Sequence, residues 1–222
     1  MPSEKTYDTK KAVSSILNVI EKNIDEIENH QIEKMVNEII YTKAKGGRLF
    51  VAGTGRTGLM AKAFAMRLYH LGFDVVILGE TIVPSATKRD CVIAISGSGK
   101  TDFTVDTASI AKRIGTRVIV LSSNPQSPLA KLSDILVVVK GRTKDADIQD
   151  KAEASNGSKT ETIKWDARQL TGIHAPLSPL GSLFELTLMM FLEGVIATLI
   201  ERLNLTEEEI KSRHANIETI SS

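Results

Sequence analysis

The sequence predicts an α/β fold built on one parallel sheet with helices on both faces. Short apolar, β-branched segments alternate with helix-compatible segments through the middle of the chain. Two of these segments lead directly into glycine-rich turns, at 53–58 and 96–101, and a helical pattern follows each turn. Strands that alternate with helices in this way form parallel sheets with right-handed crossovers, and ligands bind at the carboxyl ends of such strands.

The predicted elements follow in order along the chain. Between positions 13 and 40, apolar residues recur at steps of three and four, which predicts two amphipathic helices with a break near His30. A long apolar helix should end at Arg202, and Thr206 with Glu209 forms a capping box for a last helix. The middle of the chain reads as strands at 48–52, 74–78, 91–95, 117–121 and 134–139, with helices at 59–71, 102–114 and near 127–132.

The chain of 222 residues is long enough for a single domain with a substantial core. We expect four parts: N-terminal helices over 1–46, the parallel core over 47–140, a polar loop over 141–174, and C-terminal helices over 175–222. The loop is charged and poor in large apolar residues, so it cannot offset its ordering entropy, and we expect it to be mobile. The terminal helices are expected to build an oligomer.

Composition and charge exclude several classes of protein. With 28 basic and 27 acidic residues, the net charge of +1 gives no field that would attract nucleic acid or an anionic membrane. The single cysteine, Cys91, excludes disulfide and cysteine-zinc frameworks, and no spacing of His, Asp and Glu indicates a metal site. The polar N-terminus predicts a cytoplasmic protein, and Glu185 and Glu193 argue against a membrane-spanning helix over 183–200.

The turn at 96–101, Ser-Gly-Ser-Gly-Lys-Thr, is the strongest candidate for an anion site. A strand that ends in small hydroxyl residues before a helix leaves backbone N–H groups free at the positive end of that helix, which suits a phosphate. The turn resembles a Walker A loop, but that spacing requires glycine at position 94, where Ala94 stands. We therefore expect a simple phosphate cradle and not a nucleotide P-loop.

The turn at 53–58 matches Gly-x-Gly-x-x-Gly between a strand and a helix. Glu80 stands at the end of the next strand, where a dinucleotide site holds the ribose. A nicotinamide-dependent oxidoreductase is therefore one alternative. Against the oxidoreductase, a second glycine-serine turn follows one βα unit later, and little chain remains for a substrate domain.

Together these motifs resemble the sugar isomerase (SIS) family. Gly-x-Gly-Arg-Thr follows the first strand, Ser-x-Ser-Gly-x-Thr follows the third, and Ser-Pro-Leu-Ala stands at 127–130 ahead of Asp134. The resemblance covers nearly the whole chain from Arg48 to Ile217. More narrowly, the chain resembles the 6-phospho-3-hexuloisomerases of that family in segments 65–73, 79–84, 95–99, 179–185 and 213–216.

The resemblance implies a flavodoxin-like three-layer SIS domain that isomerises D-arabino-hex-3-ulose 6-phosphate to D-fructose 6-phosphate in the ribulose monophosphate pathway. It implies no cofactor and a cytoplasmic homotetramer. Isomerases of other phosphosugars, such as arabinose 5-phosphate, use similar loops and remain an alternative, and a non-catalytic phosphosugar sensor is another. The resemblance also implies the binding residues, with phosphate held at Ser96, Gly97, Ser98, Gly99 and Thr101 and sugar at Gly55, Arg56 and Thr57.

Moving a carbonyl from C3 to C2 passes through a cis-enediolate, so a base must carry a proton between these carbons. Glu185 is the candidate base, because it stands among apolar residues that would desolvate a carboxylate. Alternatively, Ser182 and Glu185 form a capping box that only begins a helix. From the residues alone His214 is a surface histidine, but the resemblance implies that it assists proton transfer in its own or a neighbouring subunit's pocket.

Overall fold

An all-parallel, five-stranded sheet with helices on both faces confirms the predicted fold class. The computed structural model describes residues 9–141 and 182–214, so the polar loop expected at 141–174 lies almost wholly outside the described residues. The spatial order is β2-β1-β3-β4-β5, as in flavodoxin-like folds. The strands are β1 (Leu49–Ala52), β2 (Val75–Ile77), β3 (Cys91–Ile95), β4 (Arg117–Ser122) and β5 (Ile135–Val138).

The helices of the described residues form three groups along the chain. They are α1 (Thr9–Asp25), α2 (Asn29–Ala44), α3 (Gly55–His70), α4 (Asp102–Ile114), α5 (Pro128–Lys131), α6 (Ser182–Arg202) and α7 (Glu207–Ser212). The first two confirm the predicted pair with a break before His30. The capping box of α7 is also confirmed, because the Thr206 hydroxyl accepts from Glu209 N and the Glu209 carboxylate accepts from Thr206 N.

Alternate strand residues face two separate cores, as the pleat of a sheet requires. Helices α2, α3 and α6 cover the face that carries Val51 and Ile93. Helices α4 and α5 cover the face that carries Phe50 and Val92. Every residue of β1 and β3 is buried, which explains why these central strands read as continuous apolar runs.

Helix α6 begins at the end of the sheet, directly beside the end of β5. A side chain at Gly141 would lie 2.4 Å from Phe184 Cα, so only glycine lets the backbone of α6 approach this closely. By length and composition α6 could cross a membrane, but Phe184, Leu188 and Leu199 lie in the core. Its apolar character therefore serves packing, as predicted.

The start of α3 is the main local difference from the sequence prediction. The apolar pattern predicted a helix from position 59, whereas α3 begins at Gly55. Gly55 has φ +58°, a left-handed value that glycine adopts without strain. The glycine-rich turn is thus mostly the first turn of the helix, which aims its N-terminus at the end of β1.

Candidate active site

Strand order brings the two glycine-rich turns together at the carboxyl edge of the sheet. β1 and β3 are neighbours, and the helices that follow them, α3 and α4, lie on opposite faces. In an open parallel sheet this reversal opens a crevice beyond the strand ends, and ligands bind there. The turns at 53–58 and 96–101 flank the crevice.

The 96–101 loop is held in shape by its own hydroxyls and by a neighbouring loop. Ser96 is buried, and its hydroxyl lies 3.0 Å from the Thr101 hydroxyl and accepts from Gly99 N at 3.1 Å. Gly99 has φ +64°, and a side chain there would lie 2.1 Å from Ser127 Oγ. Ser96 therefore organises the loop from inside, while the Ser98 hydroxyl accepts from Lys100 N at 3.3 Å on the exposed side.

Several backbone donors of this loop are left over. Among the described residues, no acceptor lies in hydrogen-bond range of the N–H groups of Gly97, Ser98, Thr101, Asp102 or Phe103. Thr101 is the N-cap of α4, yet its side chain makes no capping bond because it is turned toward Ser96. Free donors at a helix N-terminus are the arrangement that binds phosphate.

In the 53–58 turn, two glycines allow a close approach of the backbone. A side chain at Gly58 would lie 2.9 Å from the Gly53 carbonyl oxygen, so these two glycines allow α3 to pack against the end of β1. Glu80, the predicted ribose ligand of a dinucleotide site, instead pairs with Lys62 Nζ at 2.5 Å. This ion pair weakens the dinucleotide interpretation.

Glu185 lies beside this second turn and contacts Arg56. The Arg56 Nη2 atom is 3.3 Å from Glu185 Oε1 and 3.4 Å from Oε2, and Nε is 3.4 Å from Oε1. The Glu185 side chain is only 17% exposed, whereas that of Arg56 is 45% exposed. The predicted sugar-facing cation and the predicted base are therefore brought together, with Gly55 and Thr57 in the same first turn of α3.

The structure does not bring His214 to this edge within one chain. The His214 ring stacks on His70 with 3.8 Å between centroids. Helix α3 begins at the crevice and is 16 residues long, and His70 is its last residue. At 1.5 Å per residue, His70 therefore lies about 24 Å from the start of the helix. Burial lowers the pKa of His70, and the nearby charges of His214 and Arg67 lower it further.

Sequence reasoning missed the stacked pair at the far end of α3 and the ion pair at its near end. The His70 Nδ1 atom is buried without a hydrogen-bond partner among the described residues. Arg213 Nη1 donates to the His70 carbonyl oxygen at 3.4 Å. Contacts of this kind join residues far apart in sequence, and no local pattern could have indicated them.

Other titratable groups of the described residues offer no second chemical centre. Cys91 is buried, and desolvation raises the pKa of its thiol to about 12, so it stays protonated and serves packing. Within 9–141 and 182–214, no group of three or more His, Cys, Asp or Glu side chains is placed to hold a metal ion.

Known proteins were compared with this chain and its fold. A model of the SIS domain matches residues 40–148. A Bacillus subtilis protein named 3-hexulose-6-phosphate isomerase is 36% identical over 210 residues, which cover 95% of this chain and 99% of the relative. A Methylomonas aminofaciens protein of the same name is 35% identical over 93% of this chain and 96% of the relative.

A solved structure of a hypothetical protein from Methanococcus jannaschii, for which the same molecular function was inferred, has a TM-score of 0.66 at 30% identity, covering 90% of this chain and 98% of that one. The chain therefore belongs to the SIS-domain family of phosphosugar isomerases. Its relatives in that family include proteins named 3-hexulose-6-phosphate isomerase, which confirms the resemblance found in the sequence.

Proposed function

We propose that the protein interconverts D-arabino-hex-3-ulose 6-phosphate and D-fructose 6-phosphate, the isomerase step of the ribulose monophosphate pathway. The observation that carries the proposal is the Arg56–Glu185 contact beside the loop of free N–H donors. A proton carrier and a cation for an oxyanion thus lie at one edge with an anion cradle. The names of the relatives supply the substrate.

The phosphate binds at 96–101, where the N–H groups of Ser98 and Thr101, among others, have no acceptor among the described residues. The loop supplies hydrogen bonds and the positive end of the α4 dipole. Because the phosphate is fixed there, the sugar extends toward the first turn of α3. Gly55, Arg56 and Thr57 then face the sugar.

Glu185 carries the proton. As a carboxylate it removes the proton from C2 of the hexulose, which leaves a cis-enediolate with the negative charge on the C3 oxygen. It returns the proton to C3, while the hydroxyl proton passes from the C2 oxygen to the C3 oxygen. Low exposure keeps bulk water from exchanging with the carried proton, and Arg56 stabilises the oxyanion.

We expect the Arg56–Glu185 contact to lengthen when substrate binds. The contact is loose, at 3.3 to 3.4 Å, and Arg56 is the more exposed partner. A guanidinium has several donors in a fork, so it can retain one carboxylate oxygen and donate to the substrate oxygen as well. The pair is therefore suited to hold Glu185 in position before the reaction begins.

The active unit is a homotetramer in which His214 acts in a neighbouring subunit's crevice. Large apolar side chains on three adjacent helices support the assembly, since they are exposed in the single chain: Val13 and Leu17 on α1, Leu59 and Met66 on α3, and Met189 and Met190 on α6. Light scattering of the purified protein measures the mass of the assembly. A monomer at assay concentration contradicts this part of the proposal.

A mixing experiment tests the position of His214. Glu185→Gln and His214→Ala protomers are each expected to be inactive, and unfolding and reassembling them together should restore part of the activity if the two residues come from different subunits. If both residues act within one chain, mixing restores no activity. If His214 is not required, the His214→Ala variant is already active before mixing.

The direct test is an assay with D-arabino-hex-3-ulose 6-phosphate, coupled to detection of fructose 6-phosphate. Turnover supports the proposal. Binding without turnover indicates a sensor, turnover only with arabinose 5-phosphate indicates another isomerase of the family, and NADH binding at submillimolar concentration indicates an oxidoreductase. Each of these three outcomes would overturn the proposed reaction.

A further inference from the structure

Among the described residues, several basic side chains stand at or near the carboxyl edge, and three of them, Arg56, Lys62 and Lys140, have acidic partners within the chain. Arg56 contacts Glu185, and Lys62 contacts Glu80. Lys100, in the phosphate loop, is different: its side chain is exposed, and its ammonium has no ion-pair or hydrogen-bond partner in the part of the chain that the structure describes. Within the described residues, the positive charge of Lys100 is therefore available to a ligand at this loop.

The backbone around Lys100 is held by hydrogen bonds even though its side chain is exposed. Gly99 on one side is in the left-handed region, and its carbonyl oxygen accepts from Leu129 N at 3.1 Å. Thr101 on the other side is the N-cap of α4 and is bonded to Ser96. Lys100 N donates to the Ser98 hydroxyl at 3.3 Å. The stem of Lys100 therefore starts from a fixed point inside the proposed cradle.

The other groups of the loop carry no net positive charge. Neutral N–H groups and hydroxyls bind anions through partial charges, and the exposed Asp102 in the first turn of α4 opposes an anion. A phosphate monoester carries between one and two negative charges near neutral pH, because its second pKa is about 6. A full cation in the loop would favour the doubly charged form over a singly charged one.

We propose that Lys100 pairs with the substrate phosphate and makes this site selective for dianionic phosphate monoesters. The proposal rests on the proposed function, because it takes the 96–101 loop as the phosphate site. Lys100 is a binding and specificity residue that acts on substrate affinity, whereas Glu185 acts on the rate of the chemical step.

The test compares Lys100→Met with Lys88→Met. Lys88 is also exposed, and its replacement by methionine removes the same charge. It lies at the opposite edge of the sheet, where its aliphatic chain runs beside Gly115. We expect Lys100→Met to raise KM about tenfold, the effect of one charged hydrogen bond, with kcat within about twofold of wild type. Lys100→Arg should restore most of the affinity, and Lys88→Met should behave as wild type.

Two further readouts separate pairing from a structural effect. Titration calorimetry with inorganic phosphate should show tighter binding as pH rises from 5.5 to 7.5 in wild type and a smaller pH dependence in Lys100→Met. Raising the salt concentration should weaken phosphate binding to wild type more than to Lys100→Met, because one screened charge pair is missing. A merely structural role would move neither dependence.

The outcomes distinguish the two proposals. If wild type turns over the sugar phosphate but Lys100→Met keeps the wild-type KM, pH dependence and salt dependence, the role of Lys100 is wrong and the proposed function stands. If wild type binds inorganic phosphate through Lys100 but turns over no hexulose phosphate, the proposed function is wrong and the role of Lys100 stands. If inorganic phosphate binds equally well to both variants, Lys100 is not the phosphate cation.

Discussion

The two edges of the sheet treat the same kind of backbone group in opposite ways. At the amino edge, carboxylates of the chain accept from N–H groups at strand starts. Asp90 Oδ1 accepts from Arg48 N at 2.7 Å, and Asp134 Oδ2 accepts from Val118 N at 2.8 Å. At the carboxyl edge, the N–H groups of Gly97, Ser98 and Thr101 have no acceptor among the described residues.

This difference separates stability from function. An anion that belongs to the chain is always present, so the amino edge is satisfied before any ligand arrives. The carboxyl edge has its donors on glycine and serine, whose short side chains leave room for an anion from solution. Unpaired N–H groups lower stability when they are shielded from water, and under the proposed function the substrate phosphate would remove that cost on binding.

The largest expected effect is at Glu185. Glu185→Gln keeps the shape of the side chain but removes its ability to take up a proton, so kcat should fall about a thousandfold, in the range typical of general bases. Substrate binding, measured by titration calorimetry, should persist because the phosphate loop is unchanged. Steady-state kinetics of the purified variant measures the loss.

Glu193→Gln is the matched control for this change. Glu193 lies two turns further along α6 and pairs with Arg67 at 3.4 Å, away from the crevice. Its replacement should leave kcat within about twofold of wild type. A near-normal rate for Glu185→Gln would instead make Glu185 a helix-start residue, as the capping-box alternative holds.

The next effect concerns stability at the amino edge. Asp90 is 3% exposed and accepts from Arg48 N, Thr87 N and the Thr87 hydroxyl. Asp90→Ala leaves partly buried donors without their acceptor, and the free energy of unfolding should fall by about 3 kcal/mol. Urea unfolding measures this change, while kcat and KM of the folded variant should stay as in wild type. A large loss of activity at unchanged stability would contradict the division between the edges.

A pair of glycine variants tests the carboxyl edge. Gly99 and Gly55 both have positive φ, so alanine costs about 1 to 2 kcal/mol of backbone strain at either site. At Gly99 the added carbon also lies 2.1 Å from Ser127 Oγ, whereas at Gly55 nothing lies within 4 Å. Gly99→Ala should therefore be the less stable variant in urea unfolding and should lose inorganic phosphate binding in calorimetry. Equal behaviour of the two variants would show that the Ser127 contact does not shape the loop.

The smallest effect is the pH dependence that comes from His70. Burial lowers the pKa of His70 in the folded protein. Below the unfolded pKa of about 6.5, the unfolded chain therefore binds a proton at this histidine more readily than the folded chain does. The free energy of unfolding should therefore fall as pH drops below that value, and His70 should have no effect above it.

Urea unfolding at pH 7.5 and 5.5 measures the His70 contribution. His70→Gln should reduce the difference between the two pH values. His30→Gln, at an exposed histidine of α2 that lies 3.0 Å from Glu28, is the control and should retain the wild-type difference. An unchanged slope in His70→Gln would mean that the ring is protonated equally in the folded and unfolded chains.

Much of the fold was predictable because its signals are local. A buried strand such as β3 needs a continuous apolar run, and the five predicted strands all match the structure within two residues. Position 55 was harder, because glycine signals freedom of φ but not whether the chain uses it to start a helix. The 96–101 loop was predicted as an anion site for the same local reason: strand, small residues and helix start stand next to each other in the sequence.

The sequence by itself determined the class of fold, the positions of the glycines and the small hydrogen-bonding residues of the 96–101 loop. Only the tertiary structure decided which distant groups meet. Glu185 and Arg56 are 129 positions apart, and their contact depends on the β1–β3 reversal and on Gly141, which lets α6 approach the end of β5. His214 and His70 are also far apart in sequence and meet only through tertiary packing, at the other end of α3. Local propensities act over a few residues, whereas such contacts depend on how whole helices pack against the sheet.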